Sequence, residues 1–459
     1  MTESFLVTVV SVTIAILLLT LCLPGFNELT GKRIPLPFHR FSFWLGLLGL
    51  TCVTAFIAGI YPALFLSSFR PLSVLKPSAT RPRSGTGWLR KGLVVFQFTL
   101  SILLIIGTLV VSRQVDYIQS RNIGYDKNDL IYVPIEGNLS RDYDYLKEAA
   151  GKSPGIASIS FISDDPDYLD NNSTDISWEG KPPGKLMEAA EAEVKLDFVQ
   201  TMKLSLAAGR DFSASFPTDS SAWIINETAA REMGYSHPIG RTLTMWGRKG
   251  RIIGVVRDFN FKPVHERIRP LILSILLRPK AYGTLLVRAR PGQTRQALAT
   301  LQSLCTTLNP AFPFTYQFSV DAYLSSYKNE IVIRSLADGF ATLAILISCL
   351  GLLGLAAFTA ERRTKEISIR KVLGANVLRL FLMVCSEFIA LVALALALAI
   401  PLSLVLMNNW LDNYAYRTSI AWWIFALGGG VAVLITLLTI GYQALRLAST
   451  SPIRSLRTE

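Results

Sequence analysis

The stretch ERRTKEISIRKVLGA, Glu361 to Ala375, lies between two apolar runs, Phe340 to Phe358 and Phe388 to Met407. Each run is long enough to cross a bilayer, because about 20 apolar residues in a helix span the hydrocarbon core. A turn between membrane helices needs only a few polar residues, whereas this segment is fifteen residues long and has an amphipathic, basic pattern. The arrangement predicts a membrane protein with a helical docking surface.

The amino-acid composition also indicates a protein that lies in a lipid bilayer. Hydrophobic residues make up 51% of the 459-residue chain and charged residues only 17%, and the mean hydropathy is +0.38, which argues against a soluble globular protein. The first apolar run has no basic leader and no small-residue cleavage site, so we interpret it as a retained helix. The predicted spans are Phe5 to Leu23, Trp44 to Leu66, Leu93 to Val111, Phe340 to Phe358, Phe388 to Met407 and Trp422 to Ile440.

Basic residues in short loops set the orientation, since such loops stay in the cytoplasm. Three loops are rich in them, namely those after the second, fourth and sixth spans, with Arg70, Lys76, Arg81, Arg83, Arg90, Lys91, Arg362 to Lys371, Arg446, Arg454 and Arg457. The region from Ser112 to about Ile333 is therefore exported, and the chain is a multi-pass protein of the cell inner (plasma) membrane. These loops hold much of the net charge of +13, so no nucleic-acid partner is needed to explain it.

The exported region, about 220 residues long, is large enough for one or two compact units. Strands are predicted at Trp223 to Ile225, Arg251 to Val256 and Thr284 to Ala289. Asn226 caps a short helix that Gly234 closes, and the apolar residues from Ala297 to Leu308 mark one face of another helix. An α+β domain is expected.

Both ends of this domain carry helical patterns. The third span continues through Val111, Val115 and Ile118 until Gly124, and the fourth is approached through Tyr323, Tyr327 and Ile331 at helical spacing. One interpretation is that these two helices are stalks that transmit movement of the membrane part, since a flexible linker would absorb such movement. The alternative is that the helices simply extend beyond the bilayer.

The chain contains an internal repeat. YPALFLSSFRPLSVLK, Tyr61 to Lys76, aligns without gaps on YQALRLASTSPIRSLR, Tyr442 to Arg457, with seven identities. Spans one and two therefore repeat spans five and six, and tandem halves are common in membrane transport proteins. The first half has no counterpart of the exported domain or of Glu361 to Ala375, which suggests a truncated product or a fragment of a longer protein.

The charged segment has the features of a helix that binds protein. Glu361 with Lys365 and Glu366 with Arg370 are i, i+4 pairs in the favourable order, and Gly374 is a natural stop. The alternative is a basic anchor on anionic lipid. The two glutamates argue against it, because they would face phosphate headgroups, and a mixed-charge helix suits a protein partner better.

These motifs resemble the FtsX/MacB-type permease family of ABC transporters, in a long two-repeat form that lacks its N-terminal part. The resemblance rests on ERRTKEISIRKVLGA, on the SPIRSLR tail and on GRKGRIIGVVRDFNFKPVHERIRPLIL, Gly247 to Leu273. It implies an α-helical membrane protein with about six transmembrane helices and an inserted α+β extracytoplasmic domain that is similar to the MacB periplasmic core domain. It also implies an ATPase-coupling helix, whose residues here are Glu361, Arg362, Arg363, Lys365, Glu366, Ile369, Arg370 and Lys371.

The expected organisation follows from the spans and the resemblance together. It comprises two transmembrane helices (1–68), a basic cytoplasmic linker (69–90), a transmembrane helix (91–112), the extracytoplasmic domain with its stalks (113–333), and a permease domain (334–459) with the coupling helix at 361–375.

Other candidate sites favour ordinary structural roles. Gly151-Lys152-Ser153 has Leu146 where a P-loop needs its first glycine, so no ATPase motif, catalytic residue or cofactor is expected in this chain. The acidic run Asp164, Asp165, Asp167 and Asp170 is either a calcium loop or, in our interpretation, a solvated loop. His39, His237 and His265 are too scattered for a metal site.

The predicted function is that of a permease subunit that couples ATP hydrolysis by a separate cytoplasmic ATPase to motion of the extracytoplasmic domain. The output is mechanotransmission or export of a lipidated or amphipathic cargo. A membrane-anchored sensor or scaffold without ATP-driven transport is the alternative. A dimer or a partner permease half and membrane lipids are the further expected partners.

Overall fold

The computed structural model describes residues 2–67, 85–262, 266–278, 280, 282–372 and 376–449. Most of the predicted basic linker, the end of the repeated tail, His265 and Gly374 lie outside them. The helices are α1 (Thr2–Thr30), α2 (Phe41–Ser67), α3 (Gly85–Ser120), α4 (Tyr143–Gly151), α5 (Phe198–Met202), α6 (Glu227–Met233), α7 (Thr294–Leu308), α8 (Ser319–Ser326), α9 (Lys328–Val372), α10 (Val377–Leu411) and α11 (Trp422–Ser449). The strands are β1 (Leu130–Pro134), β2 (Ile156–Ile162), β3 (Asn172–Ser173), β4 (Ile176–Trp178), β5 (Ala189–Val194), β6 (Leu206–Gly209), β7 (Trp223–Asn226), β8 (Thr242–Met245), β9 (Arg248–Val256), β10 (Leu271–Ile275), β11 (Thr284–Ala289) and β12 (Gln317–Phe318).

The chain divides into two compact units. The membrane unit comprises Met1–Thr108, Val332–Leu402 and Trp422–Glu459, and the extracytoplasmic unit comprises Leu109–Ile331 with Ser403–Ala421. Six helices among the described residues are long and apolar enough to cross a bilayer, in agreement with the six predicted spans. They are Thr2–Thr30, Phe41–Ile60, Lys91–Ser120, Lys328–Thr359, Cys385–Leu411 and Trp422–Gly441.

Small and hydroxyl side chains join α3 to its neighbours in the membrane unit. Ser101 Oγ lies 2.7 Å from Ser348 Oγ on α9 and donates to the Ala344 carbonyl at 3.1 Å. Gly428 on α11 faces Ile106, so that an added Cβ would meet its Cγ1 at 3.1 Å. Such close approach is typical of helices that associate in lipid, where there is no hydrophobic force between them.

The extracytoplasmic unit is built on one mixed sheet. Its strand order is β12-β1-β11-β2-β5-β10-β7-β9-β8-β4, with β3 on β5 and β6 on β9. The β5–β10 and β7–β9 pairs are parallel and the other pairs are antiparallel. Helices α4 and α7 cover one hydrophobic cluster, which contains Leu146 and Leu301, and α6 covers a second, which contains Ala229 and Trp223.

Local signals place β7 and α6 as predicted. Asn226 ends the strand and caps the helix, because its Oδ1 accepts from the Ala229 amide at 2.9 Å. Its Nδ2 also donates to the Arg269 carbonyl at 2.9 Å, which ties the turn to the chain before β10. Gly234 closes the helix with φ of +78°, a conformation that glycine adopts without steric penalty.

Candidate functional site

The predicted coupling segment, as far as Val372, is the end of a long membrane helix. Helix α9 runs without interruption from Lys328 to Val372, and α10 begins at Val377. Ile369 is 52% exposed, and Arg370 Nη1 donates to Met383 Sδ on α10 at 2.7 Å. The side chains of Glu361, Arg362, Arg363, Lys365, Glu366 and Lys371 lie outside the described part of the structure.

Helix α3 continues into the extracytoplasmic unit, as its apolar stripe predicted. Val111, Val115 and Ile118 are all buried, and the helix ends at Ser120, four residues before the predicted stop. Gly124 has φ of +89°, and a Cβ there would lie 2.6 Å from the Cβ of Phe259. The chain therefore leaves α3 through a turn that requires glycine.

A buried glutamine holds the segment between the last two spans. Gln114 is 0% exposed and lies on the same helix as Val111 and Ile118. Its Nε2 donates to the Tyr416 carbonyl at 2.9 Å, and its Oε1 accepts from the Thr418 amide at 2.9 Å. Both halves of the amide are paired with backbone, which is how a polar side chain is buried without a large penalty.

Arg113 on α3 and Arg121, which directly follows its last residue, contact the same segment. The Arg121 guanidinium carbon lies 3.5 Å from the centroid of the Tyr416 ring, a cation–π geometry. Arg113 Nη1 donates to the Ser419 carbonyl at 3.4 Å. We call the contacts of Arg113, Gln114 and Arg121 with residues 416–419 the α3–loop junction.

The approach to the fourth span is also attached to α3. The Tyr323 hydroxyl donates to the Ile118 carbonyl at 2.9 Å, and the rings of Tyr323 and Tyr327 lie 4.8 Å apart. The predicted single helix through Tyr323, Tyr327 and Ile331 is wrong, because α8 ends before Tyr327, whose φ and ψ are −110° and 15°. Both rings are buried in the core shared with Ile118, and this packing fixes a break that helical spacing does not reveal.

The prediction of a solvated loop for the acidic run 164–170 is wrong for one residue, Asp167. We predicted a solvated loop, but Asp167 Oδ1 accepts from the hydroxyls of Tyr125 and Tyr132, the latter at 3.1 Å. The Tyr132 hydroxyl lies 2.9 Å from Ser319 Oγ. Burial raises the pKa of Asp167 to about 6 against the effect of the tyrosine hydrogen bonds, and no partner for its buried Oδ2 is found among the described residues.

This cluster links the parts of the chain that lead to two spans. Tyr125 follows the exit from α3, and Ser319 begins α8. The sequence did not single out Gln114, Tyr416 or the tyrosine partners of Asp167. A polar residue on the apolar stripe of α3 was the only local signal for Gln114, whereas the others depend on contacts more than 30 residues apart.

Comparisons with known proteins agree with the two-unit architecture. The family model of the FtsX-like permease C-terminal region matches residues 339–452, and that of the MacB-like periplasmic core domain matches residues 93–302. Together they match more than two thirds of the chain. A comparison with curated protein sequences finds no match.

Three solved structures are similar to parts of the chain. The periplasmic region of MacB from Actinobacillus actinomycetemcomitans is 16% identical, with 46% of this chain and 98% of that chain covered and a TM-score of 0.33. A domain of a permease protein from Porphyromonas gingivalis is 18% identical, with 42% and 90% covered and a TM-score of 0.31. The extracellular domain of the noncanonic ABC-type transporter YknZ from Gram-positive bacteria is 13% identical, with 41% and 98% covered and a TM-score of 0.29.

Proposed function

The chain belongs to the FtsX/MacB-type family of ABC transporter permeases, and on that premise we propose that it couples ATP hydrolysis by a separate subunit to motion of its extracytoplasmic domain. It is a multi-pass protein of the inner membrane with an extracytoplasmic domain. ATP is bound by the partner ATPase, and this chain contributes the docking helix and the moving parts.

The continuity of α9 is the observation that carries this proposal. Its 45 residues form one helix that contains both the fourth span and the coupling segment as far as Val372. At about 1.5 Å per residue such a helix is about 67 Å long. A displacement at its cytoplasmic end is therefore passed along a stiff element, since every peptide group is held in the same hydrogen-bonded ladder.

Glu361, Arg362, Arg363, Lys365, Glu366, Ile369, Arg370 and Lys371 are the residues that we assign to contact with the ATPase. Mixed charge gives such a surface specificity, because like charges on a wrong partner are repelled. The exposed Ile369 supplies apolar area beside the charges. An ATPase dimer presents two equivalent sites, so the working assembly includes a second permease half or a second copy of this chain.

The α3–loop junction is our candidate for the output side. Within the extracytoplasmic unit it joins the extension of the third span to the segment that connects the fifth and sixth spans, through Gln114 and Arg121. Tyr323 adds the approach to the fourth span. A shift of any one of these segments strains the others, because the wholly buried Gln114 and the buried Tyr323–Ile118 hydrogen bond join them.

The coupling assignment is tested by reversing one helical ion pair. Glu366→Lys with Arg370→Glu keeps an i, i+4 pair but inverts both charges, and we expect loss of copurification with the ATPase subunit. The matched control is Glu148→Lys with Lys152→Glu, an exposed i, i+4 pair at the C-terminal end of α4 in which Lys152 Nζ lies 2.9 Å from Glu148 Oε1. If the first variant copurifies as well as the control, the coupling helix is assigned wrongly.

A second experiment separates ATP-driven motion from a scaffold role. Hydrogen exchange of residues 412–421 is compared between complexes with an active and a hydrolysis-dead ATPase in the presence of ATP. We expect exchange to differ, because motion of the spans strains the α3–loop junction. Identical exchange in both complexes would favour the scaffold. Export is distinguished from mechanotransmission by whether a candidate lipidated cargo crosses the membrane of reconstituted vesicles.

A further inference from the structure

The loop that joins the first two spans is extracytoplasmic and basic. Helix α3 leads into the extracytoplasmic unit, so the chain is cytoplasmic between α2 and α3 and extracytoplasmic between α1 and α2. Residues 31–40 make the connection between α1 and α2, and they include Lys32, Arg33 and Arg40. Short exported loops are normally poor in basic residues, because Lys and Arg hold such loops in the cytoplasm. The charge of this loop therefore needs a local explanation.

The described part of the chain does not neutralise this charge. Lys32, Arg33 and Arg40 are exposed, and none of them forms an ion pair with a described residue. The nearest carboxylate in the sequence is Glu28 on the last turn of α1, which is exposed and has no ion-pair partner there either. Three cations and one carboxylate, with His39 neutral, give residues 28–40 a net charge of +2.

The equivalent loop of the second repeat is neutral. Residues 412–421 join α10 to α11, and the internal repeat relates these two helices to α1 and α2. Asp412 and Arg417 are the only charged residues in the sequence of this loop, and they form an ion pair. A connection of this length between such spans therefore needs no excess of positive charge for its own structure.

Hydrogen bonds and ring contacts hold the basic loop in one shape. Asn27 on α1 pairs with the backbone of Ile34 through both ends of its amide, since Nδ2 donates to the carbonyl at 3.2 Å and Oδ1 accepts from the amide at 3.1 Å. Trp44 Nε1 donates to the Phe38 carbonyl at 2.8 Å. The Phe38 ring also contacts the rings of Phe43 and Trp44. The loop is thus tied to both helices, and a preorganised loop loses little entropy when it binds.

Exposed apolar side chains accompany the basic ones. Phe41 at the start of α2 is 80% exposed, and Ile34, Phe38 and Trp44 are exposed as well. Aromatic residues at the end of a span lie at the level of the headgroups, where apolar side chains enter the acyl region and basic side chains reach the phosphates. This combination suits a phospholipid better than a soluble partner, which would leave the apolar groups in contact with lipid unused.

We propose that the loop 31–40 binds an anionic phospholipid of the extracytoplasmic leaflet, with Lys32, Arg33 and Arg40 on the phosphate and Phe38 and Phe41 on the acyl chains. Ammonium and guanidinium groups donate charge-assisted hydrogen bonds to phosphate oxygens. The net charge favours an anionic headgroup over a zwitterionic one, whose own cation would be repelled. The inference goes beyond ATP coupling and does not depend on it.

Photolabelling of the full-length protein in nanodiscs tests the proposal. Phosphatidylcholine nanodiscs contain an equal small fraction of a diazirine-bearing phosphatidylglycerol or a diazirine-bearing phosphatidylcholine, and peptide mass spectrometry measures the adducts on residues 26–44. We expect more adduct from phosphatidylglycerol, and Lys32→Gln with Arg33→Gln and Arg40→Gln should reduce this preference at least about tenfold, because each basic residue near an anionic surface contributes about a fivefold change in affinity. Equal labelling by the two lipids in the wild type, as expected if the loop binds a protein, would overturn the proposal.

Two further variants separate the loop from general effects of charge and folding. Lys249→Gln with Arg251→Gln and Arg257→Gln removes three exposed cations from the extracytoplasmic unit, and the labelling preference of residues 26–44 should not change. The charge-retaining replacement of the three loop residues, K32R with R33K and R40K, should keep the preference. A loss of preference in either variant would contradict the assignment. Loss on addition of inorganic phosphate would assign the cations to free phosphate instead of a lipid.

Asn27→Ala distinguishes a folded site from diffuse charge. This variant removes both hydrogen bonds to Ile34 but no charge, so the preference for phosphatidylglycerol should fall at least about threefold because the loop is no longer preorganised. The control is Asn413→Ala in the equivalent loop, where Nδ2 donates to the Trp410 carbonyl at 3.1 Å, and it should have no effect. Equal preference in the two variants would show that the folded shape of the loop does not contribute, contrary to the proposal.

Discussion

The wholly buried Gln114 and the half-buried Asp167 are both polar residues of the extracytoplasmic unit, but their hydrogen-bond partners satisfy them to different degrees. The Gln114 side-chain nitrogen donates to the Tyr416 carbonyl and its oxygen accepts from the Thr418 amide, so both ends of the amide are paired with backbone. Asp167 receives two tyrosine hydroxyls on Oδ1, while no partner for its buried Oδ2 is found in the described ranges. The Gln114 amide is neutral and is paired at both ends, whereas the Asp167 carboxylate is charged in a site where burial disfavours the charged form.

The difference predicts two kinds of behaviour. A neutral amide contributes the same stability at every pH, since nothing in it titrates. A carboxyl whose pKa burial raises to about 6 makes stability depend on pH. The stability of the α3–loop junction should therefore not change with pH, whereas the stability of the Asp167 cluster should change with the extracytoplasmic pH.

The largest effect is expected at Gln114. Gln114→Met keeps the volume but removes all three of its hydrogen bonds to this segment, one to the Tyr416 carbonyl and two from the amide and the hydroxyl of Thr418, and so leaves the Tyr416 carbonyl and the Thr418 amide unpaired. The free energy of local opening should fall by about 2–4 kcal/mol, measured as faster hydrogen exchange of residues 412–421. The exposed Gln200→Met is the control. Unchanged exchange would show that these hydrogen bonds contribute nothing to the junction.

At Asp167 the predicted effect is a pH dependence. The unfolded carboxyl titrates near 3.8 and the folded one near 6, so the folded state binds more protons between these values. Its contribution to the free energy of unfolding therefore decreases as pH rises from about 4 to 6, by about 2–3 kcal/mol in all, and is constant above.

Asp167→Asn should remove the part of the pH dependence of the free energy of unfolding that comes from Asp167. Burial also raises the pKa values of Asp211 to about 6 and Glu191 to about 7, so the difference between the two pH profiles, rather than either alone, isolates Asp167. The measurement is the thermal unfolding temperature of the purified full-length protein between pH 4 and pH 8. Parallel profiles would refute the titration of Asp167 in this range.

A smaller effect is expected at Tyr323, which attaches α8 to the end of α3. Tyr323→Phe removes the hydrogen bond to the Ile118 carbonyl but keeps the ring packed on Tyr327, so local stability should fall by about 1 kcal/mol. Hydrogen exchange of residues 116–121 reports the change. The exposed Tyr145→Phe should have no effect on this segment, and equal exchange in both variants would assign the attachment to packing alone.

The smallest effect is expected at Arg121. Arg121→Gln removes the cation over the Tyr416 ring and should cost about 0.5–1 kcal/mol. Arg121→Lys keeps the charge but loses the planar stacking, so it should fall between wild type and Arg121→Gln. Exchange of residues 412–421 again provides the measurement. A lysine variant as weak as the glutamine variant would show that stacking, not charge, holds the ring.

Sequence reasoning succeeded where the signal is local. The strand at Thr284–Ala289, the cap at Asn226 and the six apolar spans depend on residues within one or two turns of each other, and the structure contains all of them. It failed at Asp167 and at Tyr327. A solvated aspartate and a half-buried one look alike in a run of acidic residues, and a helix break caused by packing leaves no glycine or proline.

The sequence by itself determined that the chain spans a membrane, that its charged segment from Glu361 is helical and that an α+β domain is inserted between the third and fourth spans. Hydropathy, periodicity and caps suffice for these, because each is a property of neighbouring residues. Only the tertiary structure decided that Gln114 pairs with a segment about 300 residues away, that two tyrosine hydroxyls donate to Asp167, and that the chain breaks its helix at Tyr327. These features depend on which distant segments exclude water from one another, and no local pattern specifies that.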